Sequence, residues 1–198
     1  MNQISLVCTP LVEAFRDDPF YRAITIESSD DEEGRQAVLA KYFDLAITEA
    51  RAIGEVQYGG TDGAALWHTY EASSSDIEIH VATRRQGLAK LLGARGFDNY
   101  LRISESMADQ VPQQVFDGWY LPILGVRPQA RGQRLAQRLV EMTLNRADRQ
   151  GATCFLETFN PLSLSFYRRL GFNDEILCFE KVTEREYWVL ARQPLMRA

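Results

Sequence analysis

The sequence predicts a single α/β domain spanning residues 1–198, for three reasons. Strand-like apolar runs alternate with segments whose apolar residues recur every three or four positions, which is the spacing of a helix. Two pairs of short runs are joined by tight turns, a pattern typical of antiparallel hairpins. No repeat or long linker interrupts the 198 residues, and a hydrophobic content of 45% is enough for one core.

The first half of the chain is predicted to contain one strand, several helices and one hairpin. The apolar run Ile4–Cys8 is interpreted as a strand that ends at Thr9-Pro10. Apolar residues at helical spacing predict a helix over about Arg35–Arg51. A glycine turn then joins Val56–Tyr58 to Gly63–Tyr70, which predicts the first hairpin. Two further helical segments are predicted over Ile77–Ala94 and from Phe97 to about Met107.

The second half begins with a strand over Trp119–Val126, which contains Pro122. Because proline cannot donate to a β-ladder, a bulge or a splayed strand is expected there. The remaining elements are predicted by apolar spacing and by residues that start or stop helices. They are a helix over about Gly132–Gln150 stopped by Gly151, a strand over Thr153–Phe159, a helix begun by Asn160-Pro161 and ended by Gly171, and a hairpin of Ile176–Val182 with Tyr187–Ala191.

The distribution of charge indicates a small anionic ligand. A net charge of -5 argues against a nucleic-acid binder, because affinity for a phosphate backbone comes from surplus Lys and Arg. Between Arg127 and Arg149, however, six arginines face only two acidic residues. A small basic focus on an acidic protein suits a small anion better than a polyanion. For the arginines beyond the first helical turn, a solvated helix face is the simpler interpretation.

The cysteine and histidine content indicates which cellular compartment and which metal chemistry are expected. The three cysteines are widely spaced and form neither a metal motif nor a disulfide framework, so buried thiols in a reducing cytoplasm are expected. No apolar run approaches the roughly 18 residues of a membrane span. With His68 and His80 as the only histidines, a histidine-based metal site is not expected.

The turn at Arg131-Gly132, just before the long helix, has the chemistry of a phosphate site. Backbone N–H groups at a helix N-terminus are unpaired, and the helix dipole adds partial positive charge. Gly132 lacks a Cβ, so phosphate oxygens can approach the main chain, and Arg131 and Arg134 add cations. The alternative is an ordinary glycine turn flanked by solvated arginines.

Two motifs carry a resemblance to a known family. The pattern V-x-P-x-x-R-G-x-x-L-A covers Val126–Ala136, and N-P-x-S-x-S-F-Y-x-x-L-G-F covers Asn160–Phe172. Together they resemble the GCN5-related N-acetyltransferase (GNAT) family. Looser similarity elsewhere looks like the branch that contains puromycin acetyltransferase, on Ala14-Phe15, Ala64–Trp67, Trp119–Leu121 and Phe155–Thr158.

The resemblance implies a fold and a cofactor. The fold would be a mixed, mostly antiparallel sheet with a splayed pair of parallel strands, flanked by helices. The cofactor would be acetyl-CoA, with its pantetheine arm on the splayed strand and its pyrophosphate on the Q/R-x-x-G-x-G/A turn. Arg134 departs from that pattern at the middle glycine, and a register starting at Gln129 is the alternative. The implied cofactor-binding residues are Leu124, Gly125, Val126, Arg131, Gly132, Gln133, Arg134, Leu135, Ala136, Asn160, Ser163 and Tyr167.

The resemblance also implies catalytic roles for two residues. Tyr167 would give a proton to the leaving thiolate, since its usual pKa of about 10 is close to that of a thiol; core packing is the alternative role. Glu157 is charged within an apolar strand, where an unpaired carboxylate is costly. It could be the general base, directly or through water, it could bind the substrate amine, or it could be a structural ion-pair partner.

The acceptor is predicted only as a class. Trp119 and Tyr120 alternate along a strand, so one should face the core and the other the cleft, and Phe20, Tyr21 and Trp67 are possible pocket walls or core residues. The predicted function is direct transfer of an acetyl group to a primary amine of a small molecule, without a metal, by a monomer or homodimer. The alternatives are a non-catalytic acyl-CoA-binding module and a protein or peptide N-acetyltransferase. A closed pocket would favour a small molecule.

Overall fold

The computed structural model describes residues 3–195, with the backbone alone for residues 3–6. Its centre is a six-stranded sheet in the order β1-β2-β3-β4-β6-β5. All neighbouring strands are antiparallel except β3 and β4, which are parallel. The strands are β1 (Gly54–Tyr58), β2 (Gly63–His68), β3 (Trp119–Val126), β4 (Cys154–Thr158), β5 (Asp174–Glu180) and β6 (Arg185–Arg192). The predicted fold class is confirmed.

Helices cover both faces of the sheet, and each face has its own apolar core. The helices are α1 (Gln3–Ala14), α2 (Pro19–Ile24), α3 (Glu32–Ile53), α4 (Ser74–Leu91), α5 (Gly93–Ala108), α6 (Gln113–Phe116), α7 (Leu135–Gln150) and α8 (Leu164–Arg169). Helices α1 to α5 form one layer, and α7 with α8 forms the other. No helix within residues 3–195 is long and apolar enough to cross a membrane.

The strand predicted over Ile4–Cys8 is wrong, because this segment belongs to α1. The helix continues through Pro10. Val7, Leu11 and Val12 are buried together, and their spacing of four and five positions places them on one face of a helix. A short apolar run cannot by itself distinguish a strand from a buried helix. The apolar period that continues beyond Pro10 is what identifies the helix.

Strand β3 is bulged at the predicted proline. Leu66 lies opposite Ile123 and His68 opposite Tyr120, so two steps along β2 correspond to three along β3. One extra residue therefore lies in the Leu121–Pro122 segment. Because successive side chains alternate between the two faces of a strand, the extra residue reverses the alternation. Leu121 accordingly packs in the α7/α8 core, whereas Ile123 packs in the α1–α5 core.

Strands β3 and β4 separate beyond this point. Within the described residues they pair only at Trp119 with Cys154 and at Tyr120 with Phe155. The rest of β3 still pairs with β2, up to Val126 opposite Gly63. The side of β3 that faces β4 therefore keeps unpaired backbone groups, and the sheet has an opening in its middle.

The segment before α7 is a turn with two left-handed residues. Gly132 has φ 79° and Arg134 has φ 57°, so α7 begins at Leu135, three residues after the predicted start. At the other end Gly151 stops the helix with φ 67°, as predicted. The long α3, both hairpins and β4 are also confirmed, with boundaries shifted by a few residues. Asn160 caps the short turn Pro161–Ser163, since its side chain accepts from the Leu162 N–H.

Candidate active site

A cavity of about 350 Å³ opens between the sheet and the α1–α5 layer, beside the point where β3 and β4 separate. Side chains from α2, α3, α4 and α5 line it together with β2, β3 and β4. Its lining is strongly aromatic and includes Phe15, Phe20, Tyr21, Tyr42, Tyr100 and Tyr120. Clefts of this kind, mostly apolar with a few convergent polar groups, are the usual form of a small-molecule site.

The sheet contributes a row of side chains to the floor of this cavity. His68 on β2 is in register with Tyr120 on β3, and Tyr120 is in register with Phe155 on β4. The Tyr120 and Phe155 rings stack at 4.8 Å, and the His68 ring lies 5.8 Å from the Tyr120 ring. Glu157 follows two residues after Phe155 and therefore shares its face. The row thus ends at a carboxylate next to the opening.

Glu157 is a carboxyl group that burial makes more basic. Burial raises its pKa to about 7, although the hydrogen bond from Tyr120 acts in the opposite direction. Its side chain remains reachable from the cavity that it lines. No ion pair of Glu157 is found within residues 7–195, so the structural ion-pair alternative lacks support. A carboxyl with this pKa exchanges protons near neutral pH.

Tyr167 reaches the same cavity from the opposite layer. It belongs to α8 and packs against Phe166 and Phe172 in the α7/α8 core, yet it also lines the cavity. The separation of β3 from β4 explains this position, since a continuous sheet would keep the two layers apart. Burial raises the pKa of Tyr167, so its hydroxyl keeps its proton at neutral pH.

The predicted acceptor walls divide between the two faces of the sheet. Phe20, Tyr21 and Tyr120 line the cavity. Trp67 and Trp119 instead pack in the α7/α8 core, where the Arg146 guanidinium lies 4.6 Å from the Trp119 ring centre. Of the alternating pair, Tyr120 is therefore the residue on the cavity side. This geometry does not favour Trp67 or Trp119 as walls of an acceptor pocket.

The sequence did not identify several charged or titratable residues of the cavity, among them Glu49, His68 and Arg84. Arg84 Nη1 lies 3.3 Å from Glu49 Oε2, and His68 Nε2 lies 3.5 Å from the same oxygen. Burial lowers the pKa of His68 to about 3, so this imidazole is neutral. Glu49 had a detectable signal, because it shares the helical stripe of Tyr42 and Ala46, at which an apolar residue is expected.

The turn before α7 has the features of an anion site. Arg131, Gly132, Gln133 and Arg134 are all exposed. At the N-terminus of the 16-residue α7, Arg134 occupies the cap position without a capping side chain among the described residues, so backbone N–H groups remain available. Arg127 is paired with Glu13 at 2.7 Å, whereas Arg131 and Arg134 form no ion pair among the described residues and Arg131 Nε donates only to the Val126 carbonyl at 3.5 Å.

Arg134 adopts a backbone conformation that favours glycine. Left-handed φ costs an L-residue roughly 1–2 kcal/mol relative to the right-handed region. In the motif read from Arg131, this position is the middle glycine, so the backbone geometry of the turn is kept although the residue differs. Gly132 is left-handed as well, and a Cβ built on it would have no heavy atom within 4 Å, so its main chain is open to approach.

The other predicted cofactor-binding residues lie along the opening. Leu124, Gly125 and Val126 pair with β2 on one side and lack a strand partner on the other. A Cβ on Gly125 would come within 2.6 Å of Leu11, so glycine here allows α1 to pack closely on β3. The Ser163 hydroxyl donates to the Asn160 carbonyl at 2.7 Å, which fixes the turn after β4.

Comparison with known proteins agrees with this geometry. Residues 108–174 match the family profile described as acetyltransferase (GNAT) domain. A structure from Corynebacterium glutamicum described as histone acetyltransferase HPA2 and related acetyltransferase is 21% identical, covers 100% of this chain and 96% of its own, and has a TM-score of 0.63. Arylalkylamine N-acetyltransferase 2 from Aedes aegypti is 14% identical with coverages of 97% and 94% and a TM-score of 0.57. Polyamine N-acetyltransferase from Drosophila melanogaster is 16% identical with coverages of 92% and 90% and a TM-score of 0.51.

The profile match and the shared fold define the class of this protein, an acyltransferase that uses acetyl-CoA as its donor. Residues 108–174, which match the GNAT acetyltransferase domain profile, contain β3, the anion turn, α7, β4 and α8. The residues present fit acetyl-CoA, because exposed arginines, uncapped helix N–H groups and the unpaired side of β3 lie in sequence along one opening. The puromycin acetyltransferase-like branch stays a prediction.

Replacing Arg131 should weaken acetyl-CoA binding. Loss of one charge-assisted hydrogen bond to phosphate is expected to raise the Kd of Arg131→Ala about tenfold or more. Isothermal titration calorimetry with acetyl-CoA measures this directly. Arg149→Ala, at the exposed opposite end of α7, is the matched control and should bind acetyl-CoA as the unmodified protein does. Equal affinity of both variants would remove Arg131 from the phosphate site.

Proposed function

We propose that this protein acetylates the primary amine of a small molecule by direct transfer from acetyl-CoA. The observation that carries the proposal is the aromatic cavity, which Glu157 lines from β4 and Tyr167 lines from α8. Acetyl transfer to nitrogen needs a neutral amine and a proton for the leaving group. Glu157 can remove the proton from the amine, and Tyr167 can give a proton to the leaving group.

Glu157 is proposed as the general base, acting directly or through a water molecule. An alkylamine is protonated at neutral pH, and only its neutral form has the lone pair that attacks a carbonyl. A carboxylate with a pKa of about 7 can accept this proton without being permanently protonated. Tyr120, which donates a hydrogen bond to Glu157, orients the carboxylate.

Tyr167 is proposed as the general acid. Its hydroxyl remains protonated because burial disfavours the phenolate. Oη can therefore give its proton to the coenzyme A sulfur as that group leaves. The ring contacts with Phe166 and Phe172 hold the side chain in place without using the hydroxyl.

Acetyl-CoA would be held by the turn at Arg131–Arg134, by the start of α7 and by the main chain of Leu124, Gly125 and Val126. When bound, it supplies an activated acetyl thioester. The exposed arginines and uncapped N–H groups would bind its pyrophosphate. The unpaired side of β3 would bind its amide-containing arm with main-chain hydrogen bonds.

A small molecule is favoured over a protein substrate because the cavity is concave and bounded by aromatic side chains of α2, α3 and α5. The test compares small amines with peptides that carry free N-termini or lysines, using release of the coenzyme A thiol as the assay. The proposal predicts measurable kcat/KM for small amines and much lower values for every peptide. Preference for peptides would overturn it.

We further propose that the chain acts as one acetyltransferase domain, in the cytoplasm, as a monomer or homodimer. One sheet that joins Gly54 on β1 to Arg192 on β6 supports the single domain. The three cysteines, buried as thiols, are consistent with a reducing compartment. Size-exclusion chromatography with light scattering distinguishes the two oligomeric states.

A further inference from the structure

Glu49 and Arg84 form a second polar cluster in the cavity that the proposed chemistry does not use. Both residues line the cavity, Glu49 from α3 and Arg84 from α4. Arg84 Nη2 donates to the Tyr42 hydroxyl at 2.8 Å, and the guanidinium carbon lies 5.1 Å from the Tyr42 ring centre and 5.9 Å from that of Tyr100. These contacts hold the cation in a defined position within an aromatic wall.

The pair keeps hydrogen-bonding capacity that the protein leaves unused. Arg84 Nε is buried without a hydrogen-bond partner among the described residues, and Glu49 Oε2 has only Arg84 Nη1 at 3.3 Å and His68 Nε2 at 3.5 Å beside it. Leaving buried charged groups incompletely satisfied is unfavourable, and such groups in native structures often belong to functional sites. Both side chains line the cavity, and the Arg84 side chain is 15% exposed, so a molecule in the cavity can contact the guanidinium.

The two opposite charges select the chemistry of the occupant. Because the charges of Glu49 and Arg84 largely offset each other, a carboxylate or a second ammonium of the acceptor gains little net attraction here to balance its loss of hydration. A neutral group that accepts from the guanidinium and also donates to the carboxylate satisfies both residues. Hydroxyl and carboxamide groups have this dual capacity.

We propose that Glu49 and Arg84 recognise a neutral hydroxyl or carboxamide group of the acceptor, at the end of the cavity remote from Glu157. This inference rests on the proposed acetylation of small amines. Glu49 lies 3.5 Å from His68 on β2, whereas Glu157 is on β4. These positions are separated by two strand spacings across the sheet and two residues along β4, roughly 12 Å, which an amine with one aromatic ring and a polar substituent can bridge with its hydrogen bonds.

The test uses four amines that share one skeleton and differ only in the remote group. They are phenethylamine, tyramine, 4-(2-aminoethyl)benzamide and 4-(2-aminoethyl)benzoic acid. A hydrogen bond to a charged group predicts that tyramine or the benzamide exceeds phenethylamine in kcat/KM by about tenfold or more. Comparison of the hydroxyl with the carboxamide identifies which of the two groups the site takes. The benzoic acid should be the poorest acceptor.

Two variants test whether Glu49 and Arg84 cause the preference for a polar remote group. In Arg84→Met, which removes the donors but keeps an apolar chain, the ratio of kcat/KM for the preferred polar amine to that for phenethylamine should fall to near one. Arg85→Met, at the exposed neighbouring position on α4, is the control and should keep the ratio. In Glu49→Gln the benzoic acid should improve relative to phenethylamine, a gain that misfolding cannot produce.

The outcomes separate this inference from the proposed function. If the amines are acetylated but all four react alike in the unmodified protein, or if Arg84→Met keeps the ratio, the inference is overturned and the proposed function stands. If acetyl-CoA binds and no small amine is acetylated, the proposed function fails, and this inference fails with it.

Discussion

Glu157→Gln is expected to lower kcat/KM for a small amine about 10²–10⁴-fold, the usual contribution of a general base. Glutamine keeps the shape of the side chain and its contact with Tyr120 but cannot take a proton from the amine. Initial rates of coenzyme A thiol release measure the effect. Glu186→Gln, at an exposed position on β6, is the control and should keep the rate of the unmodified protein.

The pH dependence of the rate is a second test of Glu157 as the general base. Burial raises the pKa of Glu157 to about 7, and the ionised form is the base, so the rate should rise as pH increases through about 7. This rise should be absent in Glu157→Gln. A variant that keeps both the rate and the rise would assign the base to another group.

Tyr167→Phe should lower kcat about 10²-fold or more with little change in acetyl-CoA affinity. Only the hydroxyl is removed, so the ring contacts with Phe166 and Phe172 should persist. Steady-state kinetics gives kcat, and calorimetry gives the Kd for acetyl-CoA. A lower kcat with an unchanged Kd indicates loss of the general acid, whereas a higher Kd indicates loss of a binding contact.

Tyr58→Phe on β1, which lies outside the cavity, is the matched control and should leave kcat unchanged. Unchanged turnover in Tyr167→Phe would remove this residue as the acid. A raised Kd with normal kcat would make it a binding residue only.

The features that could be predicted from the sequence are those determined locally. Pro122 within an apolar run predicted an interruption of β3, because a missing N–H acts wherever the strand is placed. Gly151 and Asn160 likewise stop and start their elements through their own backbone and side-chain chemistry. These signals lie mostly in the second half of the chain, where the motifs of the family resemblance also lie.

The features that escaped prediction depend on tertiary structure. The segment Ile4–Cys8, with four apolar residues out of five, fits a strand and a buried helix equally well until the residues that follow it are included. Trp67 and Trp119 were candidate walls because the sequence does not show which face of the sheet meets the cavity. The bulge makes this harder, since it reverses the alternation of β3 between Leu121 and Ile123.

The cavity itself is assembled from distant segments, and this is why Glu49 and Arg84 were missed. They come from two helices that pack together only in the fold, and neither belongs to a sequence motif. A carboxylate on the apolar stripe of α3 was the one available signal for Glu49. Arg84 lies in a helix with exposed arginine next to it, so its sequence context resembles an ordinary solvated surface.

We propose that Glu157 and Tyr167 together serve acetyl transfer to an amine in one cavity. The most direct measurement follows coenzyme A release and N-acetylated product by mass spectrometry, in the unmodified protein and in a Glu157→Gln/Tyr167→Phe double variant. The unmodified protein should form equal amounts of the two products. The double variant should form neither product above background, although it should still bind acetyl-CoA. If the double variant forms N-acetylated product at the normal rate, Glu157 and Tyr167 do not carry out the transfer.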